Sequence, residues 1–341
     1  MWTMRARTTR PRPQAWCPSR PCSWISPITS LRTRCASRIP CPDDRTDPQS
    51  GACMKSSMAK KSLIGLLLSA FILTVIIIGD WVFAAVIAGG AGMGMYEYFQ
   101  LLRKKKGNPI SILGIAAGVG FIAMAWHNTR HGNLLRANAG FGAVITFFVL
   151  LVLIIQFFQL LNRRERYSIH DLSITVFGAI YIGGFGSMLI LLMGIGETLF
   201  KDNAALARLV ILLPMWAAWG SDVGAYFAGS FWGKTRLFPD ISPNKTLEGC
   251  GGGVVFSSML FITSAVFLKI PIGHALLLAP VASICGQIGD FSESAFKREL
   301  GVKDSGAIFG PHGGFLDRID SLLFTTPVVY FYFIWFYPWP S

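Results

Sequence analysis

Between Gly286 and Ser321 the 341-residue chain reads "GQIGDFSESAFKRELGVKDSGAIFGPHGGFLDRIDS", in which acids, bases and glycines recur at spacings that chemistry can use. On a helix, Asp290, Glu293, Ser294 and Lys297 fall at i, i+3, i+4 and i+7 and share one face. The Gly-rich stretch that follows can bring backbone N–H groups close to an anion. Asp317, Asp320 and Ser321 again share a face if a new helix has begun by then. Carboxylates on two helix ends can share a hard divalent cation, and Mg²⁺ takes few carboxylates, filling its other positions with water or phosphate oxygens. Lys297, Arg298, Lys303 and Arg318 would answer phosphate charge. The combination points to Mg²⁺-assisted phosphoryl or nucleotidyl transfer. A solvated helix end is the plain alternative for such a charge run; against it, Asp290 directly follows the apolar "LLLAPVASICGQIG".

Further candidates lie upstream. Asp222, in "LPMWAAWGSDVGAYFAGSFWGKTR", falls inside an apolar run, where a carboxylate costs roughly 2.5–3.5 kcal/mol on insertion scales. It marks a functional position unless an interhelical hydrogen bond, or a span that begins later than drawn, explains it. "FWGKTRLFPDISPNKTLEGCGGG" reads as a flexible basic loop in which Lys245 is a phosphate or substrate contact or a solvated lysine. "GSFWGKT" is not a phosphate-binding P-loop, because three residues rather than four separate Gly229 from Gly233 and no strand precedes it. His127, His131 and His170 are expected in loops and His274 at the start of a span, none with metal-ligand spacing. His312, beside Gly313 and Gly314, can bond a phosphate, position a carboxylate or fix a turn. The seven cysteines show neither a disulfide framework nor zinc-like spacing.

These residues need a membrane to hold them. The chain is 52% hydrophobic and 14% charged, against about 25% charged in soluble domains. Apolar runs long enough to cross a bilayer recur at roughly 62–79, 81–101, 109–126, 138–161, 171–195, 204–230, 250–270, 272–295 and 321–338. The expected fold is an all-α polytopic integral membrane protein of about nine helices, with tight hairpins near Asp80 and Pro271. Lys and Arg set its orientation. With the N-terminus cytoplasmic, the inside loops hold Arg103, Lys104, Lys105, Lys106, Arg163, Arg164, Arg166, Lys234, Arg236, Lys245, Lys297, Arg298, Lys303 and Arg318, against Arg130, Arg136 and Lys201 outside. The C-terminus is then external. The formal charge of +13 therefore sits between spans and does not indicate nucleic acid.

Residues 1–53 differ, with nine Arg, no Lys, eight of the 18 Pro and no apolar periodicity; they read as a disordered or non-native extension, with translation expected to start at Met54 or Met58. Residues 54–219 are plain apolar spans, and polar residues collect on the cytoplasmic side of 220–341, the expected catalytic region. Glycines four apart, such as Gly220 with Gly224 and Gly229 with Gly233, and the run "AGGAGMGMYEYF", are read as close helix packing.

The stretch from Ser294 to Asp320, "SAFKRELGVKDSGAIFGPHGGFLDRID", resembles the signature of the phosphatidate cytidylyltransferases, also called CDP-diacylglycerol synthases. "SDVGAYFAGSFWGKTRLFPDISPNKTLEG" and "GDFSES" are similar to further family patterns. The resemblance is specific over 220–321 and diffuse over 58–219. It implies transfer of CMP from CTP to phosphatidate with Mg²⁺, giving CDP-diacylglycerol and pyrophosphate, at the cytoplasmic side of the plasma (inner) membrane. It also implies roles: Asp290 and Asp317 as metal-binding carboxylates, with Asp320 and Asp222 as supporting or second-site acids. Lys297, Arg298, Lys303, Arg318 and Lys245 would contact phosphates, while Ser294, His312, Gly313 and Gly314 shape the pocket. The expected partners are CTP, phosphatidate and the lipid bilayer, with no nucleic acid; a homodimer is compatible with the sequence. The alternatives are another CTP-using membrane enzyme, acting on a different lipid phosphate or a polyprenol, and a transporter with Asp222 on an ion path.

Overall fold

Helix boundaries follow the punctuation of the sequence. In a computed structural model, which describes residues 69–105, 107–131, 168–306 and 313–338 with isolated positions at 150, 152–154 and 157, the chain is a bundle of helices. Helix α1 covers Ser69–Ile78 and breaks at Gly79, whose φ of 67° a residue with a Cβ rarely adopts; α2 then runs Asp80–Lys104. Helix α3 is Ser111–His131. Helix α4, Ile169–Gly178, starts from a capping box in which Ser168 and Asp171 satisfy each other's backbone N–H groups. A single π-helical stretch, Ala179–Gly184, joins it to α5, Phe185–Leu199, and places Gly183 so close to Gly118 of α3 that neither has room for a side chain. The short α6, Ala204–Leu209, leads into α7, Leu212–Trp232. Then come an antiparallel ribbon, β1 Arg236–Phe238 with β2 Ser242–Thr246, and helices α8, Leu247–Phe267, α9, Ile272–Glu299, and α10, Leu316–Trp335.

Among the described residues six helices are long and apolar enough to cross a membrane: Asp80–Lys104, Ser111–Arg130, His170–Leu199, Ala204–Trp232, Leu247–Phe267 and Ile272–Glu299. The expected run 138–161 lies almost wholly outside the described residues, as does 1–53. Several expectations change. The stretch read as a flexible basic loop contains a two-stranded β-ribbon, in a chain otherwise helical as expected. His127 and His131 lie on α3 and His170 in the first turn of α4, not in loops. Arg208 and Lys269, drawn inside spans, sit at the end of α6 and in the α8–α9 turn, where backbone groups left over at helix ends need polar company; Arg208 donates to the carbonyl of Ile77.

Two apolar clusters form the core, one centred on α2, α3 and the π stretch, the other on α7, α8 and α9; α5 and α10 contribute to both and join the halves. Between α7 and α8 the small-residue spacing does what was expected of it, whereas Gly89 and Gly92 of "AGGAGMGMYEYF" have no close neighbour among the described residues. A Cβ on Gly224 would lie 3.1 Å from Cα of Gly253, so α7 and α8 pack backbone to backbone where no hydrophobic drive separates helix from lipid. Buried polar side chains tie the same helices together: Ser257 to Ser283 at 2.7 Å, and Gln287 Nε2 to both Ser221 Oγ and the Cys250 carbonyl at 2.9 Å.

Candidate active site

Helix α9 continues past its apolar part to Glu299, which carries Asp290, Glu293, Ser294 and Lys297 along one face at its polar end. The β-ribbon folds back over that end. Phe238 packs edge-on against Phe291 with ring centres 5.3 Å apart, Lys245 lies 4.3 Å from the centre of the same ring, and Arg298 donates to the carbonyl of Ile241 at the ribbon's turn. Glu248 accepts the N–H groups of Lys234 and Thr235 and so pins the ribbon's base. This docking brings Lys245 into an ion pair with Asp290, forty-five residues away in sequence.

Helix α10 supplies the facing acids. It begins at Leu316, so Asp317 and Asp320 do fall on neighbouring turns, Asp317 partly buried and Asp320 8% exposed. Asp317 accepts from Lys297 at 2.6 Å, from the Ser305 N–H at 3.0 Å and from the Gly314 N–H at 2.8 Å. Gly313, with φ 80°, is required: a Cβ there would stand 2.7 Å from Asp317 Oδ2. Lys297 also lies 3.2 Å from Glu293. Asp222, on an exposed part of α7, interacts electrostatically with Asp290, Asp320, Lys245 and Arg318.

The structure thus gathers Asp222, Lys245, Asp290, Ser294, Lys297, Asp317, Arg318 and Asp320 at one end of the bundle. Ser294 Oγ reaches Asp290 at 3.5 Å. Arg298 spends its guanidinium on the carbonyls of Ile241 and Val302, and Lys303 is exposed on the loop after α9. His312 lies outside the described residues.

Two acids were not singled out as site residues. Glu293 is 3% exposed, with Lys297 Nζ 3.2 Å from its Oε1. Glu97, in the apolar α2, is 4% exposed and bonded to Ser305 and Leu316. An acid inside a span is the same signal that marked Asp222, so Glu97 was open to detection; its partners were not.

The charge balance bears on what the site could hold. Five acids, Asp222, Asp290, Glu293, Asp317 and Asp320, of which Glu293 and Asp320 are buried, face three bases, Lys245, Lys297 and Arg318, so the cluster would be favoured by further positive charge. Among the described residues no three His, Cys, Asp or Glu side chains already converge on a single point. All the donors are hard carboxylate oxygens. That set fits Mg²⁺ held by one or two acids and completed by phosphate oxygens and water.

Comparison with known proteins decides the family. The profile of the cytidylyltransferase family matches residues 59–336. The chain belongs to that family. It is 33% identical over 276 residues to the phosphatidate cytidylyltransferase of Bacillus subtilis (strain 168), covering 80% of this chain and 97% of that protein. It is 33% identical over 285 residues to the phosphatidate cytidylyltransferase of Synechocystis sp., covering 78% of this chain and 92% of that one. With the phosphatidate cytidylyltransferase of Aquifex aeolicus it shares 45% over 120 residues, 35% of this chain and 45% of the relative. The cytidylyltransferase match extends through the N-terminal helices, beyond the 220–321 region in which the motifs are dense.

Proposed function

We propose that the protein transfers the cytidylyl group of CTP to phosphatidate, forming CDP-diacylglycerol and pyrophosphate, at the cytoplasmic face of the plasma membrane. The observation that carries this reading is the gathering of five carboxylates and three bases from α7, the β-ribbon, α9 and α10, in a chain with family members over most of its length. A phosphate oxygen of phosphatidate attacks the α-phosphorus of CTP. As that P–O bond forms, the bond from the α-phosphorus to the bridging β-phosphate oxygen breaks and pyrophosphate leaves. No protein nucleophile takes part.

Asp290, Asp317 and Asp320 would hold Mg²⁺, which supplies charge neutralisation on the triphosphate when bound. Lys245, Lys297 and Arg318 bring fixed positive charge to the same place, and the Gly313–Gly314 backbone keeps Asp317 in position. Asp222 faces the cluster from α7, beside the exposed apolar flank through which a lipid headgroup would approach.

We further propose nine spans with a cytoplasmic N-terminus and an external C-terminus. Charge placement supports it: counting Arg208 and Lys269 outside still leaves fourteen inner Lys and Arg against Arg130, Arg136 and these with Lys201. Lys105, at the end of α2, donates to the Glu299 carbonyl at the end of α9, so two basic ends lie on the same side. The test is direct. Purified protein given phosphatidate, Mg²⁺ and CTP labelled at the α-phosphate should move label into lipid and release pyrophosphate. Transfer from the γ-position, or none from the α-position, would refute the reading.

A further inference from the structure

We propose that Glu97 is a positioning residue for the transfer reaction, holding Ser305 and the first turn of α10 so that Asp317 is presented to Lys297. This role rests on the reaction proposed above. Glu97 lies on α2, far from the signature in sequence, yet its Oε2 accepts from Ser305 Oγ at 3.1 Å and from the Leu316 N–H at 2.9 Å, across 208 and 219 residues. Asp317 draws on the same short segments. Ser305 donates its backbone N–H to Asp317 and its hydroxyl to Glu97, while the N–H of Gly314 goes to Asp317 and that of Leu316 to Glu97.

Two carboxylates therefore share one backbone cage, and moving one disturbs the donors of the other. Space confirms the fit. A Cβ on Gly306 or Gly314 would strike the Glu97 carboxylate, and Gly90 clears room on α2 for Phe315. The neighbouring Tyr98 stacks on Phe296 of α9 with ring centres 5.4 Å apart, so α2 bears on both helices that carry the site. Glu97 touches no group placed against substrate; it acts through Ser305 and Leu316. A carboxylate so buried in an apolar helix is a standing cost, and charge-assisted bonds, about twice as strong as neutral ones, offset it.

The experiment compares Glu97→Gln, Ser305→Ala and the double variant in purified full-length protein, with kcat and KM for CTP measured by α-label transfer to phosphatidate and melting temperature followed in detergent. Gln keeps an acceptor oxygen but not the charge. Each single variant should lose about tenfold in kcat, within the roughly 10²-fold that a small misplacement of a reacting group produces, with KM for CTP nearly unchanged. The double variant should be no worse than the weaker single, because the two side chains act as one unit. Wild-type kcat in both single variants would overturn the proposal. So would multiplicative losses, or a loss of folded protein that accounts for all the lost activity. An inactive wild-type protein would instead overturn the proposed reaction and this role with it.

Discussion

The polar ends of α9 and α10 hold their carboxylates in opposite ways. Asp317, on α10, receives a lysine and two backbone N–H groups, and its ion pair with Lys297 is 12–13% exposed. Asp290, on α9, has Lys245 and a long contact from Ser294, and its pair is 23–29% exposed. One acid is built into the rigid part of the fold. The other is held by a lysine on a β-ribbon that meets α9 through Phe238, Lys245 and the bond from Arg298 to Ile241. In the reaction proposed here, the fixed acid would supply preorganisation, and the ribbon-held acid would be the one able to exchange its lysine for another cation without disturbing the core.

That contrast is open to attack in four places. Asp317→Asn should have the largest effect, reducing α-label transfer from CTP to phosphatidate by roughly 10³-fold in membranes that retain normal protein levels. Near-normal turnover would remove Asp317 from the site. Lys297→Met comes next. It strips both Asp317 and the buried Glu293 of their shared cation, so about 3 kcal/mol of stability should go with roughly 10²-fold of activity, read as a lowered melting temperature in detergent. Lys245→Ala should cost only about tenfold in kcat/KM and leave the melting temperature almost unmoved, because a partly solvent-exposed pair is worth little to stability. If it melts as early as the Lys297 variant, the two ends are not different in kind. Phe238→Ala, which removes the aromatic contact of the ribbon with Phe291, should raise KM for CTP about threefold through looser placement of Lys245, with kcat retained.

Where the sequence was legible, local spacing carried the information. Asp290, Glu293, Ser294 and Lys297 share a face because any helix puts them there, and the start of α10 at Leu316 brought Asp317 and Asp320 into the register that spacing required. Apolar runs announced α2, α3, α5, α7, α8 and α9 because a bilayer admits little else of that length and composition. The ribbon was missed for a physical reason. Five residues of "SPNKT" carry no period-two apolar pattern, and the strand exists by pairing with Arg236–Phe238 and packing on α9. His127, His131 and His170 were placed in loops because polar residues near span ends look alike whether the helix continues or stops.

By itself the sequence determined a membrane-spanning helical chain with nine of its 18 acids after residue 220, since hydrophobic length and helical periodicity are local properties. Tertiary structure alone decided which base meets which acid. Lys245 reaches Asp290 across forty-five residues, Lys297 reaches Asp317 across twenty, and Glu97 reaches Ser305 and Leu316 across more than two hundred. Such pairings depend on how helices pack and where a ribbon folds back, and charge in a low-dielectric interior takes whichever partner that packing brings within reach.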